Sequence, residues 1–176
     1  MKTADDIVIR HAVPDDAAAL IEYLNTIGGE SDNLTFGKDE FPIKPEQERA
    51  FIEGLAEKPH DCMIVAVKDG RIVGDATLAG HPRRMAHRAE LGISVLKAEW
   101  GRGIGSRLME ALIEYAEQHG VELLNLEARA DNEKAIHLYE KFGFRTIGVS
   151  PAFMKLRGEY HDAVLMYLDL RAAAEE

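Results

Sequence analysis

The segment Trp100-Gly101-Arg102-Gly103-Ile104-Gly105 has the residue types and spacing of an anion-binding turn. It follows a β-rich run ending at Ile93-Ser94-Val95 and opens an apolar-periodic stretch from Ile104 to His119. The first N–H groups of a helix have no intrahelical acceptor, and the helix dipole adds partial positive charge there. Such an end can hold phosphate oxygens. Glycines allow a ligand to approach the backbone closely. The arrangement suits a pyrophosphate. The same spacing also fits a tight strand-to-helix turn with no ligand. A dinucleotide fingerprint would read G-x-G-x-x-G in an early βαβ unit, and a Walker A loop would end in Gly-Lys-Ser/Thr. Neither pattern is met, because Gly105 is followed by Ser106-Arg107.

A second segment, Asp131 to Phe144, reads as a capped helix. Asn132 is the cap, Leu138 and Phe142 face the core, and Gly143 is the stop. Tyr139 lies between them, and a core tyrosine with its hydroxyl satisfied is one reading. Other chemistries are poorly served. The one cysteine, Cys62, precedes the apolar run Met63-Ile64-Val65, which marks it as a buried thiol. There is no Cys-x-x-Cys or His-Glu-x-x-His, so no metal site is expected. A formal net charge of −10 argues against nucleic-acid binding.

These segments need a framework, and the sequence predicts a mixed α/β one. Ile7 to Arg10 is a strand. Pro14-Asp15-Asp16 opens a helix with Leu20, Ile21, Leu24 and Ile27 inward, ended by Gly28-Gly29. Residues 28–44 read as an irregular binding loop, and a second helix starts near Pro45. Strands 63–68 and 71–78 are joined by Asp69-Gly70, a hairpin signal. Strands follow at 89–95, 121–128, 144–149 and 163–169, with helices at 104–119 and 132–142. A single domain is expected over residues 1–170, with a frayed tail at 171–176. No apolar run approaches the roughly 20 residues of a membrane span. The first residues carry no apolar signal-peptide core, so a cytoplasmic location is expected.

The two segments together resemble the GNAT superfamily of acetyl-CoA-dependent N-acetyltransferases. Gly103 and Gly105 match its Gln/Arg-x-x-Gly-x-Gly/Ala loop, with Trp100 departing at the first position. Asn132, Ala135, Tyr139, Gly143 and Phe144 match its Asn-x-x-Ala-x-x-x-Tyr-x-x-x-Gly-Phe helix. The resemblance covers residues 62–169, and more weakly the N-terminal part. It implies the GNAT acyltransferase fold, a central mixed sheet of about seven strands splayed at the acetyl-CoA site with flanking helices. It implies too that the backbone N–H groups of Gly101, Arg102, Gly103, Ile104, Gly105 and Ser106 hold the pyrophosphate, and that Ile93, Ser94 and Val95 end a bulged strand whose free backbone pairs with the pantetheine arm.

The reaction so implied is direct attack of an amine on a thioester. The amine must lose its proton, the oxyanion needs donors, and the thiolate needs a proton. Tyr139 stands at the family's general-acid position, and the N–H of Val95 or its neighbour would polarise the carbonyl. Glu90 is the candidate base, acting through a water, with a solvent-exposed strand-end carboxylate as the alternative. Glu30 and Asp32 are rivals for the base. The stretch His87-Arg88-Ala89-Glu90 and the turn Gly158-Glu159-Tyr160 look like the polyamine (spermidine) N-acetyltransferase branch, which implies a small cationic amine substrate. Glu30, Asp32, Asp39 and Glu40 could attract it, and Phe36, Phe41, Phe153 and Tyr160 could line its channel or simply pack. A protein N-acetyltransferase acting on an N-terminal amine or lysine, and a non-catalytic acetyl-CoA-binding module, are the alternatives. A homodimer is expected, as for many members of that family.

Overall fold

The computed structural model describes residues 6–171. The chain runs β1 (Ile7–His11), α1 (Ala17–Glu30), α2 (Pro45–Gly54), β2 (Cys62–Lys68), β3 (Arg71–Gly80), β4 (Arg88–Val95), α3 (Ile104–Gln118), β5 (Leu123–Arg129), α4 (Glu133–Lys141), β6 (Arg145–Leu156) and β7 (Glu159–Asp169). The strands form one sheet in the order β1-β2-β3-β4-β5-β7-β6. All neighbours are antiparallel except β4 and β5.

The apolar run of β2 is buried on both faces, so its side chains divide between two cores. Cys62, Ile64 and Ala66 pack with α3, while Met63 and Val65 pack with Leu20, Tyr23 and Ile27 of α1 and Ile52 of α2. Helix α3 presents Ile104, Leu108, Met109, Leu112 and Ala116, all fully buried. Each of its large apolar side chains contributes roughly 1.5–3 kcal/mol by leaving water. Helices α1 and α2 cover the opposite face of the sheet.

Three local expectations need correction. Helix α1 runs on to Glu30 rather than stopping at Gly28-Gly29. A Cβ at Gly28 would lie 2.5 Å from the Gly37 carbonyl oxygen, so this glycine serves close packing of the following loop against the helix. Strands β6 and β7 extend to a two-residue turn at Arg157 and Gly158, both with positive φ, as a right-twisted hairpin requires. Pro151 and register shifts between Ser150 and Met154 had hidden the outer half of this hairpin. Of the tail expected at 171–176, Arg171 pairs with Asp169, and residues 172–176 lie outside the described residues. Among the described residues, no helix is long and apolar enough to cross a membrane.

Candidate active site

Strands β4 and β5 pair only from Arg88–Glu90 to Leu123–Asn125. Beyond Glu90 the edge of β4 is left without a strand partner. The expected bulge in β4 is absent: its register with β3 is unbroken from Ala89 to Val95. The opening comes instead from the early end of the β4–β5 ladder. Leu96 donates to the Val73 carbonyl. Residues facing the partner alternate along an antiparallel strand, so Ile93 and Val95 turn their N–H and C=O groups into the gap. The Val95 carbonyl already accepts a 2.8 Å hydrogen bond from Trp100 Nε1.

The gap is part of a cavity of about 1070 Å³ lined by β4, the start of α3, β5 and α4, and by α1 with the loop after it. At its α3 end, Gly101 and Gly103 have φ of 77° and 76°, the left-handed region that L side chains resist. The first helical hydrogen bond runs from Arg107 N–H to the Gly103 carbonyl, so the amides of Ile104, Gly105 and Ser106 have no intrahelical acceptor. A Cβ on Gly105 would sit 3.3 Å from Leu138 of α4. Gly101, Gly103, Ile104, Gly105 and Ser106 line the cavity, as do Ile93, Ser94, Val95 and Asn132. Arg102 does not; its guanidinium pairs with Glu99 at 3.2 Å. Trp100 covers the turn, with the Lys134 ammonium 4.7 Å from its ring centroid.

The second motif sets the opposite wall. Asn132 caps α4 by accepting from the Ala135 N–H at 3.4 Å. Phe144 N–H returns to the Tyr139 carbonyl around Gly143, whose φ of 91° ends the helix. Tyr139, only 6 % exposed, is the fully buried residue of α4, whereas Leu138 lies half-buried on the cavity wall. The Tyr139 hydroxyl makes no hydrogen bond among the described residues, and burial pushes its pKa up to about 12. It is therefore protonated at neutral pH, as a proton donor must be.

Glu90 reaches the cavity, and so does a carboxylate that sequence reasoning missed, Glu127 on β5. Burial raises the Glu127 carboxyl, and the nearby Glu90 raises it further. The signal was present in β5, where Leu124, Leu126 and Ala128 turn to the core and Glu127 falls on the other side. Asp75 was missed too. It sits mid-strand in β3, lines the cavity, and accepts a 2.5 Å hydrogen bond from the Ser94 hydroxyl. Ser94 in turn lies 2.7 Å from the Tyr23 hydroxyl. Burial lifts Asp75 to about 6, and burial likewise raises Tyr23.

The loop residues expected to meet substrate divide. Phe36 and Phe153 line the cavity. Phe153 stands within the irregular register of β6, the kind of interruption that re-aims a side chain. Glu30 and Asp32 do not line it. The Glu30 carboxylate accepts from the Lys97 N–H at 3.0 Å, and Asp32 pairs with Arg157 at the hairpin tip at 2.5 Å. Arg129, held by Asp131 at 2.6 Å, donates to the Asp32 carbonyl at 3.1 Å. These contacts fasten the loop across the cavity mouth. Phe41 packs edge-on to Phe36, and Tyr160 is 65 % exposed under Lys155, away from the cavity.

The unpaired strand edge and free helix amides fit the two halves of a coenzyme A thioester, an amide-bearing arm and a pyrophosphate. Comparisons with known proteins agree. The model of the acetyltransferase (GNAT) family matches residues 30–144. The L-amino acid N-acetyltransferase AaaT of Escherichia coli is 31 % identical over 92 % of this chain and 96 % of its own length. The N-alpha-acetyltransferase RimI of Mycobacterium tuberculosis is 36 % identical over 68 % of this chain and 73 % of its own. A GNAT-family acetyltransferase structure from Streptococcus pneumoniae superposes with a TM-score of 0.90 at 30 % identity, covering 93 % of this chain and 99 % of that one. The chain therefore belongs to the acetyltransferase (GNAT) family and is an N-acetyltransferase that draws its acetyl group from acetyl-CoA.

Proposed function

We propose that this enzyme acetylates the primary amine of a small cationic molecule, polyamine-like in charge. The observation that carries this reading is the set of three carboxylates, Asp75, Glu90 and Glu127, lining one cavity beneath a fastened loop. The described residues include no ion pair to any of the three. A cavity so charged attracts ammonium groups.

Acetyl-CoA supplies a thioester, and the chain manages the protons. Glu127, raised by burial and by Glu90, takes a proton from the incoming ammonium, directly or through a water held between the two carboxylates. The N–H groups of Ile93 and Val95 polarise the carbonyl. As the nitrogen–carbon bond forms and the carbon–sulfur bond breaks, Tyr139 gives its proton to the thiolate, and the proton shed by the newly acylated nitrogen returns through water to the Tyr139 phenolate. A phenol held up to about 12 by burial stays protonated through the neutral range and so still carries the proton when the thiolate leaves.

A second reading, an amino acid acceptor, is favoured by the printed name of the Escherichia coli relative. Its carboxylate would need a cation; Arg129, on the cavity wall, is already held through two hydrogen bonds by Asp131, and Lys134 and Lys141, which line the same cavity, are the other cations there. An N-terminal amine of a protein is a third, by the name of the mycobacterial relative. The test is mass-spectrometric detection of acetylated product across monoamines, polyamines, amino acids and peptides. Acetylation of the polyamines at the highest kcat/KM supports the proposal. Peptide or amino acid acetylation without polyamine acetylation refutes it. The exposed Ile147 and Val149 on edge strand β6 support a homodimer, which sedimentation would check.

A further inference from the structure

Resting on the reading of a small cationic acceptor, we propose that Asp75 is a specificity-determining residue: its carboxylate, backed by Glu48, takes a second cationic group of the acceptor. The favoured substrate is then an aliphatic diamine or a longer polyamine, not a monoamine of the same length.

The register of β3 and β4 lays out the subsite. Asp75 stands opposite Ser94, Thr77 opposite Gly92, and Ala79 opposite Glu90. Opposed residues share a sheet face, so Glu90, Gly92, Ser94, Thr77 and Asp75 form one strip on the face that carries α1. Gly92 leaves a gap in the middle of this strip, where a Cβ would stand 3.3 Å from the Thr77 hydroxyl. The strip thus has a carboxylate at each end and an open trough between. Leu24 and Ile27 of α1, with Phe36 of the loop, add apolar wall to the same cavity. Apolar walls between two anionic ends match methylenes between two ammonium groups. From Glu90 to the level of Asp75 is four residues along β4, roughly 13 Å.

The Asp75 end is costly to the fold, and that cost needs a reason. Glu48 of α2 is 4 % exposed, and among the described residues no hydrogen bond or ion pair engages its carboxylate. Glu48 does not line the cavity, but its charge adds to the upward push on the Asp75 carboxyl. A deeply buried carboxylate with no cation beside it is unfavourable unless a cation arrives. The Ser94 and Tyr23 hydroxyls both steady the Asp75 carboxylate but bring no charge. A second ammonium from the acceptor supplies what is missing. A purely structural role for Asp75, holding Ser94 in place, would survive replacement by asparagine, whose side-chain oxygen also accepts.

The test compares hexylamine with hexamethylenediamine, which share a chain and differ in the second ammonium. Steady-state kinetics are run with both on the wild type, Asp75→Asn and Glu48→Gln, with acetyl-CoA saturating. The wild type is expected to favour the diamine at least tenfold in kcat/KM. Asp75→Asn should raise KM for the diamine at least tenfold more than for the monoamine. Glu48→Gln should shift the same ratio in the same direction, less strongly. Thermal melts confirm that each variant is folded. If the wild type acetylates both amines equally, or Asp75→Asn changes both alike, the subsite is refuted while the small-amine reading stands. If neither amine is acetylated and a peptide is, both fail.

Discussion

Replacing Asp75 by asparagine should make the protein more stable, and only above mildly acidic pH. The carboxyl of Asp75 stands at about 6 in the fold against an ordinary 3.8, mainly because burial penalises its charge. For an acid raised in this way, the unfolded chain loses its proton first. Ionisation therefore costs stability progressively from about pH 4 to about pH 6, and the cost is constant above that. A shift of about two pKa units corresponds to about 3 kcal/mol, an upper figure because the amide also gives up water. Asparagine keeps an oxygen to accept from Ser94, so the buried hydrogen bond persists. For a chain of this size, 2–3 kcal/mol raises Tm by roughly 5–10 °C. Melting curves of wild type and variant at pH 8 and pH 4 would measure it. The variant should melt higher at pH 8, with the difference largely gone at pH 4. A variant that melts lower at pH 8, or an offset independent of pH, refutes the argument that Asp75 is an uncompensated buried charge.

Other consequences are simpler to state. Gly28→Ala puts a Cβ where the Gly37 carbonyl sits, so helix and loop must part; urea titration should show a loss of about 1–3 kcal/mol. Gly103→Ala forces an L side chain into a φ of 76°, costing about 1–2 kcal/mol and raising KM for acetyl-CoA; calorimetry and kinetics would read the two effects. Glu127→Gln should lower kcat/KM for the amine by roughly 10²–10⁴-fold and displace the acidic limb of its pH profile, whose apparent pKa lies above the ordinary carboxylate range because Glu127 is raised.

The parts of the site that were legible in the sequence are those in which one short segment does the work. The α3 turn depends on Gly101, Gly103 and Gly105, and the α4 wall on Asn132, Tyr139 and Gly143, so the order of residues carries them. The carboxylates were less legible because they belong to register. Asp75 faces Ser94 across β3 and β4, and Glu127 comes near Glu90 just past the point where the β4–β5 ladder ends; neither relation is written in local spacing. An acid in the midst of the apolar run Ile72 to Leu78 was nonetheless a signal, since a buried strand does not keep one without cause. The loop acids misled for the opposite reason. Glu30 and Asp32 looked free, but each satisfies a group brought from far along the chain, Lys97 and Arg157. The outer β6–β7 hairpin was obscured by Pro151 and by an irregular register that local patterning does not reveal.

Thiol release from acetyl-CoA by the wild type and a Tyr139→Phe variant, each with its best amine, tests the central claim most directly. The two side chains fill the same space and differ in the hydroxyl that opens on the cavity. The account predicts that kcat falls by roughly 10²–10⁴-fold while KM for acetyl-CoA changes by less than about twofold. Because Tyr139 stands at about 12, the wild-type rate should show no loss from its ionisation below about pH 11. An unchanged kcat in the variant would contradict the assignment of Tyr139 as the proton donor and, with it, the placing of the reaction between β4 and α4.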